Sequence, residues 1–415
     1  MDDPNKGKVV AVIGLGSAGI QTICHLLSFL KYGSVVVSIH DPETPALGIG
    51  ESTNPSFISA LERGIDFNIT SDLKDLDATY KLGTEYQGWR QNDFINPLIQ
   101  GGIAIHFNTN KLKDFAIPRL KEKWGDKFHC IEGSVTDMYN LNEYTVAVKI
   151  NDEVQHFDYV IDCRGFPDIY EDYTVLEPTV NHCLVHNINQ GSNWMNTRHT
   201  ATENGWIFGI PLQTRTSYGY LFNNTITSLR DAQENFSKHI NVPVEQLNNI
   251  EYKFKSYFVN KLINGNIIYN GNRAVFFEPM FANSLYLYSV ITRLTMDYMY
   301  GMLTDVDANN LFTEYCTGVR DMIAFHYHGG SNYNTNFWNE VKPLALTRLK
   351  ESKHLQSAQH HMKEQTTLKR YSSDGKPSWV FGGWQLGLIS YNFGYDYFCD
   401  ENNRHFIRSD WDKIT

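Results

Sequence analysis

Apolar residues near the start of the chain fall into two short runs, Val9 to Ile13 and Val35 to Ile39, separated by a stretch with helical spacing. Ile20, Ile23, Cys24, Leu27 and Leu30 recur at three and four residues, the period of one helical face, and Gly33 predicts its stop. Strand, helix and strand in this order predict a βαβ unit. Asn54-Pro55 then opens a helix in the usual manner, a cap residue followed by proline, with Gly64 at its end. A polar-capped segment from Ser71 leads into residues 78–83, Ile103 to Phe107 predicts a strand, and Lys111 to Lys123 a helix that Pro118 kinks or shortens. Phe128 to Ile131, Tyr144 to Ile150 and Val154 to Phe157, with Asn151-Asp152 at a turn, predict a small β-meander. The nearly unbroken apolar run Tyr159 to Cys163 suits a buried strand returning to a parallel sheet. A second β region follows, clearest at Trp206 to Leu212 and Tyr218 to Asn223. From Asn283 the spacing of Leu287, Ile291, Leu294 and Tyr298 turns helical. Glycines and polar residues between Ser372 and Trp384 mark a loop at the end of the core. The division expected is residues 1–285 as an α/β core with an inserted second sheet, and 286–415 as a helical region covering a substrate site.

Between the first strand and its helix stands Gly14-Leu15-Gly16-Ser17-Ala18-Gly19. Glycines at this spacing let the backbone close on a pyrophosphate and aim helix amides at it, so Gly14, Gly16, Ser17, Ala18 and Gly19 are candidates for a dinucleotide's phosphates. The second strand ends in His40-Asp41, which makes Asp41 the candidate for the adenosine ribose.

Composition narrows the class. The 415 residues are 42% hydrophobic and 13% aromatic, as a packed enzyme-sized protein requires. A net charge of -10 with no basic run argues against a nucleic-acid partner. Six scattered cysteines without a CxxC pair fit reduced thiols and argue against structural zinc. No apolar run is long enough to span a membrane, and the polar start predicts a cytoplasmic protein. His354, His360 and His361 do not share one helical face, so no metal site is expected there. The tail aromatics Tyr391, Phe393, Tyr395, Tyr397 and Phe398 read as packing or as a contact between copies in a homo-oligomer.

Taken together the motifs resemble the flavin-dependent halogenases, the tryptophan-halogenase-like branch of the FAD monooxygenase (glutathione-reductase-like) fold. GLGSAG followed by PALGIGESTNPS is similar to that family's glycine motif and its later GxGE segment, which implies flavin contacts at Gly48, Gly50, Glu51 and Ser52. ATYKLGTEYQGW resembles the segment around the family's catalytic lysine and places that role on Lys81. Trp206-Ile207-Phe208-Gly209-Ile210-Pro211 is similar to the WxWxIP signature, and DYVIDCRGF, Gly271-Asn272-Arg273-Ala274, Phe277-Glu278-Pro279, Phe325-His326-Tyr327 and Phe337-Trp338 follow in the family's order. The resemblance implies FAD held also by Gly271 and Asn272, and a wall of Trp206, Phe208, Ile210 and Pro211 between flavin and substrate. It implies that reduced flavin, oxygen and a halide yield hypohalous acid, which Lys81 either hydrogen-bonds or takes up as a haloamine. A lysine does the latter best when desolvation lowers its pKa, because the neutral amine is the nucleophile.

The chain departs from the pattern at Phe281, where tryptophan halogenases carry a catalytic glutamate. This points to phenol-type members, whose substrate oxygen activates its own ring. Asn283 and Ser284 are the candidates for halide binding, and bromide and iodide are favoured over chloride because they are easier to oxidise and to desolvate. With no second nucleotide fingerprint, reduced FAD is expected from a separate flavin reductase. A chain shorter than typical tryptophan halogenases implies a more open aromatic site. Two rivals remain at this stage: a flavin-dependent aromatic hydroxylase on the same fold, and a flavin-binding protein that has lost catalysis.

Overall fold

The apolar run Val9–Ile13 lies inside a six-stranded sheet in the computed structural model, which describes residues 7–353 apart from 46–47, 49–51, 90–92, 99–101 and 249. It pairs in parallel with Tyr159–Asp162 on one side and Val35–His40 on the other. Ile267–Tyr269 and Phe128–Glu132 extend the parallel sheet, and Ile263–Asn264 closes one edge antiparallel. Both faces are covered, and that is why these strands read as nearly unbroken apolar runs.

Helices α1 (Ser17–Phe29), α2 (Pro55–Ile65), α3 (Thr109–Trp124), α4 (Leu229–Ile240), α5 (Asn283–Met299), α6 (Asp305–Gly329) and α7 (Asn336–Glu351) account for the α-helical part of the described residues. α1 packs on the sheet with α2, α3 and α5 beside it. The opposite face carries Ala11, Ile13, Val37 and Ile39, which are covered by Val146, Val148, Ile150 and Phe157. The last four belong to a three-stranded meander of Val135–Asn142, Thr145–Ile150 and Glu153–Phe157. The meander therefore lacks the strand expected from Phe128. That segment joins the parallel sheet beside Val35–His40, because the helix before it returns the chain to that edge.

The second β region is a seven-stranded sheet in the order Ile250–Lys253, His182–Ile188, Thr216–Phe222, Gly205–Pro211, Asn196–Thr202, Gly83–Gln87 and Phe94–Pro97. All seven residues of Gly205–Pro211 are buried. Its alternation sends Trp206, Phe208 and Ile210 into the main core, which continues through α5, α6 and α7. Ile207 goes to the other side, against Tyr220, Phe222 and Phe236 of α4. A two-stranded ribbon, Thr79–Lys81 with Ala104–His106, carries the candidate lysine.

Several sequence-based expectations are corrected here. Residues 69–77 form turns rather than a regular element. α3 is not shortened by Pro118: Asn108 caps it and it continues to Trp124. Proline removes a bond to the carbonyl of residue 114, and both Pro118 and Asp114 are exposed, so water replaces that bond. α1 ends at Phe29, before Gly33, whose positive φ of 83° serves the following turn. Gly64 lies inside α2, which stops one residue later at Ile65 on a left-handed Asp66. Its role is close approach: a Cβ there would sit 2.3 Å from the Cβ of Cys24 on α1. The Ser372 to Trp384 loop, the three histidines from His354 to His361 and the aromatic tail lie outside the described residues.

Gly64→Ala should therefore destabilise the protein by about 1–3 kcal/mol through overpacking, although alanine is the better helix former. Urea unfolding of the two proteins measures it, and an alanine variant at least as stable would show that α1 and α2 are not in this contact.

Candidate active site

The glycine turn sits at the carboxyl ends of the parallel strands, and its packing accounts for each glycine. A Cβ on Gly14 (φ 99°) would lie 2.9 Å from the carbonyl of Cys163, and one on Gly19 would lie 1.9 Å from the carbonyl of Gly14. Gly271, with φ 64°, closes on Ala18 from the other side, at 2.9 Å. At Gly16 a Cβ would meet nothing within 4 Å. Gly16 is also the N-cap of α1 and has no side chain to bond the first-turn amides, so those of Ser17, Ala18 and Gly19 are presented to the same space. Tight backbone around one open, amide-lined position fits the pyrophosphate of a flavin dinucleotide. Asp41 follows the second strand and accepts the Glu43 amide in a local turn. Gly48 (φ 62°) lies against Asn110, and Asn272 accepts a hydrogen bond from Tyr288 at 2.6 Å. Gly50 and Glu51 are outside the described residues. Next to the turn, buried Asp162 accepts from Arg164 and lies 3.4 Å from Arg273, fixing both arginines at the strand ends.

Lys81 is buried, 3% exposed. Its Nζ donates to Ser52 Oγ at 2.7 Å and to the Thr53 carbonyl at 2.8 Å. Ser52, expected at the flavin, is thus an immediate partner of the lysine. Its hydroxyl also pairs with Thr197 at 2.8 Å, Thr197 with His106 Nε2 at 2.9 Å, and His106 Nδ1 with Thr79, which donates to the Pro211 carbonyl. These groups tie Lys81 to the end of the Trp206 strand through neutral partners. Burial with no opposing charge pushes the Lys81 pKa down to about 7, so that neutral amine is available near neutral pH. Burial, then Lys81, holds His106 well below the usual imidazole value.

Trp206 is fastened from its polar end. Its indole N–H donates to Tyr327 Oη at 2.9 Å, and Tyr327 donates to Glu278 at 2.6 Å. Thr179 donates to the other Glu278 oxygen. Burial pushes the Glu278 pKa up to about 7 against these bonds. Trp338 donates to the Thr202 carbonyl and packs edge-on against Trp89. Pro211 falls on the opposite parity of the strand from Trp206, Phe208 and Ile210, and it contributes its carbonyl. Phe208 packs over Gly219, where a Cβ would lie 2.1 Å from its ring.

The loop after Glu278 carries two consecutive left-handed residues, neither of them glycine: Phe281 (φ 66°) and Ala282 (φ 53°). Asn283 opens α5 and braces this turn by donating to the Glu278 and Met280 carbonyls. Ser284 hydrogen-bonds Tyr288. The Phe281 ring lies edge-on against His326, centroids 4.1 Å apart.

A family model described as tryptophan halogenase matches residues 9–127 and 96–411. The chain belongs to the tryptophan halogenase family. Tryptophan 6-halogenase SttH of Streptomyces toxytricini is 23% identical, covering 83% of each chain, and tryptophan 7-halogenase RebH of Lentzea aerocolonigenes is 20% identical over 82% of this chain and 80% of that one. Among solved structures, a tryptophan halogenase from Shewanella frigidimarina NCIMB 400 superposes with a TM-score of 0.79 at 17% identity, over 99% of this chain and 94% of that one. BrvH, a flavin-dependent halogenase from Brevundimonas sp. BAL3, does so with 0.72 at 17% identity, over 94% and 91%. The protein is thus a flavin-dependent halogenase by family, an enzyme whose cofactor is FAD and whose co-substrate is a halide. No helix among the described residues is long and apolar enough to cross a membrane.

In this halogenase the connections between the motifs run between residues far apart in the sequence. Asp162 passes for a strand end, and the HY and FW pairs carry no visible reason in sequence. The acceptor role of Glu278 depends on Thr179 and Tyr327, which are 99 and 49 residues away. His199, buried beside Trp206, has no sequence signal at all.

Two predictions arise from this geometry. Gly16→Ala should change folding stability by about 1 kcal/mol or less but weaken FAD binding by roughly tenfold or more, ~1.4 kcal/mol. Calorimetric titration with FAD beside thermal melts separates the two, and undiminished affinity would move the pyrophosphate elsewhere. Glu278 has a folded pKa above its unfolded value, so wild-type stability is lost as pH rises from about 4.5 to about 7. Glu278→Gln removes that titration. Its stability relative to wild type should therefore rise across this window by up to roughly 3 kcal/mol and level off above it. A difference independent of pH, from urea unfolding at several pH values, would place the carboxylate in water.

Proposed function

We propose that this enzyme delivers electrophilic halogen through Lys81 to an electron-rich aromatic small molecule, an indole or a phenol. The observation that carries this reading is the buried Lys81 amine, poised near neutrality and held by hydroxyl and carbonyl oxygens. When bound and reduced, FAD supplies with oxygen the oxidising power that converts halide to hypohalous acid. Trp206, Phe208 and Ile210 form the wall that keeps the aromatic ring from the flavin, and Tyr327 with Glu278 keeps the tryptophan from rotating. Lys81 holds the hypohalous acid by a hydrogen bond or carries the halogen on nitrogen, so that halogenation occurs at one place. The start of α5, at Asn283 and Ser284, is the halide's place, because helix amides favour an anion. Bromide and iodide are the preferred halides, since their desolvation costs less than that of chloride. Reduced FAD comes from a separate flavin reductase. The relatives named for tryptophan support an indole, while Phe281 in place of a carboxylate supports rings that activate themselves, phenols among them.

Mass spectrometry tests this on incubations with FAD, an NADH-driven flavin reductase, air, catalase, one of the three halides, and a panel containing tryptophan, indole and phenols. Halogenated product is expected with several panel members, most with bromide or iodide. Lys81→Ala should lower it by about 100-fold or more while flavin reoxidation continues. Unchanged halogenation in that variant would remove Lys81 from the mechanism, and an oxygenated product would reassign the chain to the hydroxylases.

A further inference from the structure

Replacing ring hydrogen by halogen leaves a proton that must go somewhere. Most buried polar groups around Lys81 already have partners. Both nitrogens of His106 are engaged by threonine hydroxyls, and both oxygens of Glu278 accept hydroxyl donors. His326 uses Nδ1 on the Met322 carbonyl and Nε2 on Tyr86. The Tyr86 phenol is held far above its usual pKa by burial and stays an acid. Residues 279–284 offer no carboxylate. His199 is different: it is 1% exposed, and its Nδ1 is buried with no hydrogen-bond partner among the described residues.

Its position follows from strand geometry. His199 and Thr197 lie two apart on Asn196–Thr202 and so share a face, about 7 Å apart along the strand. Thr197 bonds Ser52, the hydroxyl that holds Lys81. The His199 ring contacts Trp206 at 4.9 Å and Tyr86 at 5.3 Å, and Tyr86 in turn faces Phe281 at 6.1 Å. His199 thus stands between the wall tryptophan and Tyr86, which faces the Phe281 loop, one strand step from Thr197, the residue that bonds the lysine's partner Ser52. An unpaired polar nitrogen in a dry site is costly unless a ligand uses it.

We propose that His199 is the base that removes the ring proton during halogenation, with Nδ1 as the accepting atom. This rests on the reading that Lys81 delivers halogen to an aromatic ring. The carbon–halogen bond forms as the oxygen–halogen bond of hypohalous acid breaks, and the departing oxygen becomes water by taking a proton from the Lys81 ammonium. The electron pair of the ring C–H bond restores aromaticity and the proton passes to Nδ1. Return of that proton to the Lys81 amine closes the cycle, so that arene and hypohalous acid give halogenated arene and water. An arenium ion is so acidic that the base need only be unprotonated and in place. Burial, then His326 and Lys81, keep His199 well below the ordinary imidazole pKa and hence neutral, and Tyr86 faces it uncharged.

The test uses full-length His199→Phe, which keeps a ring against Trp206 and Tyr86, and His199→Asn, which keeps a polar group. Each is assayed on the aromatic that wild type halogenates best, protiated and ring-deuterated, and on a small 1,3-dicarbonyl compound that traps free hypohalous acid in solution. Both variants should bind FAD and halogenate the trap like wild type, yet lose about 10²-fold or more in aromatic halogenation. They should also show a primary deuterium isotope effect that wild type lacks. Wild-type rates, or equal losses on ring and trap without an isotope effect, would overturn the assignment. If wild type itself halogenates nothing, the halogenase reading fails and His199 falls with it, an outcome distinct from failure confined to the variants.

Discussion

The dryness of Lys81 is the condition on which the substrate side of this protein depends. An ammonium taken out of water without an opposing charge is strongly disfavoured, and the protein answers by letting the pKa fall to about 7 and not by pairing the charge. That choice constrains the neighbours. A carboxylate beside the lysine would restore its charge; its partners are instead the Ser52 hydroxyl and the Thr53 carbonyl, with Thr197 and the neutral His106 imidazole beyond Ser52. The hydrogen bonds run from the ribbon that bears Lys81 to Thr197 in the large sheet and, through Thr79, to the end of the wall strand. These uncharged groups thereby help register the ribbon against the large sheet.

A second buried network performs the same service for the strand proposed as the wall. Trp206 brings an indole N–H that cannot be left unpaired in the core, and Tyr327 of α6 supplies the acceptor. Tyr327 in turn needs an acceptor and finds Glu278, whose own backbone carbonyl receives Asn283 at the start of α5. Glu278 therefore connects the proposed wall and the helical region through its carboxyl, and the loop proposed to hold the halide through its backbone carbonyl. Displacing Tyr327 would leave the Trp206 N–H without its acceptor, while the Asn283 bonds to backbone carbonyls would remain.

The order of elements was largely legible in the chain because each signal was local. The βαβ unit with its glycine turn, the buried return strand, the Asn54 cap and the α5 periodicity all depend on neighbours within one turn or strand. What failed depended on distant partners. Nothing near Gly64 announces Cys24, and nothing near Phe128 says that its strand joins a parallel edge instead of a hairpin. Pro118 does not shorten its helix because a lost helical bond matters only where water cannot reach it. In the site the candidate residues carried motifs in the sequence and their partners did not. Ser52 was assigned to the flavin by its motif, whereas its hydroxyl bonds Lys81, a contact made by the ribbon's pairing and invisible in the order of residues.

Phe281 shows how substitution at one position shifts the division of labour. Its backbone is left-handed, as is that of Ala282, and without glycine such a pair costs on the order of 1–3 kcal/mol per residue. The turn is nevertheless held by the two side-chain bonds of Asn283 and by the packing of the Phe281 ring on His326. A phenylalanine here cannot exchange protons, so in the proposed mechanism the loop contributes shape and oriented amides, and proton handling falls to Lys81 and His199. A site arranged this way asks less of its substrate's position relative to the loop and more of the ring's own electron density.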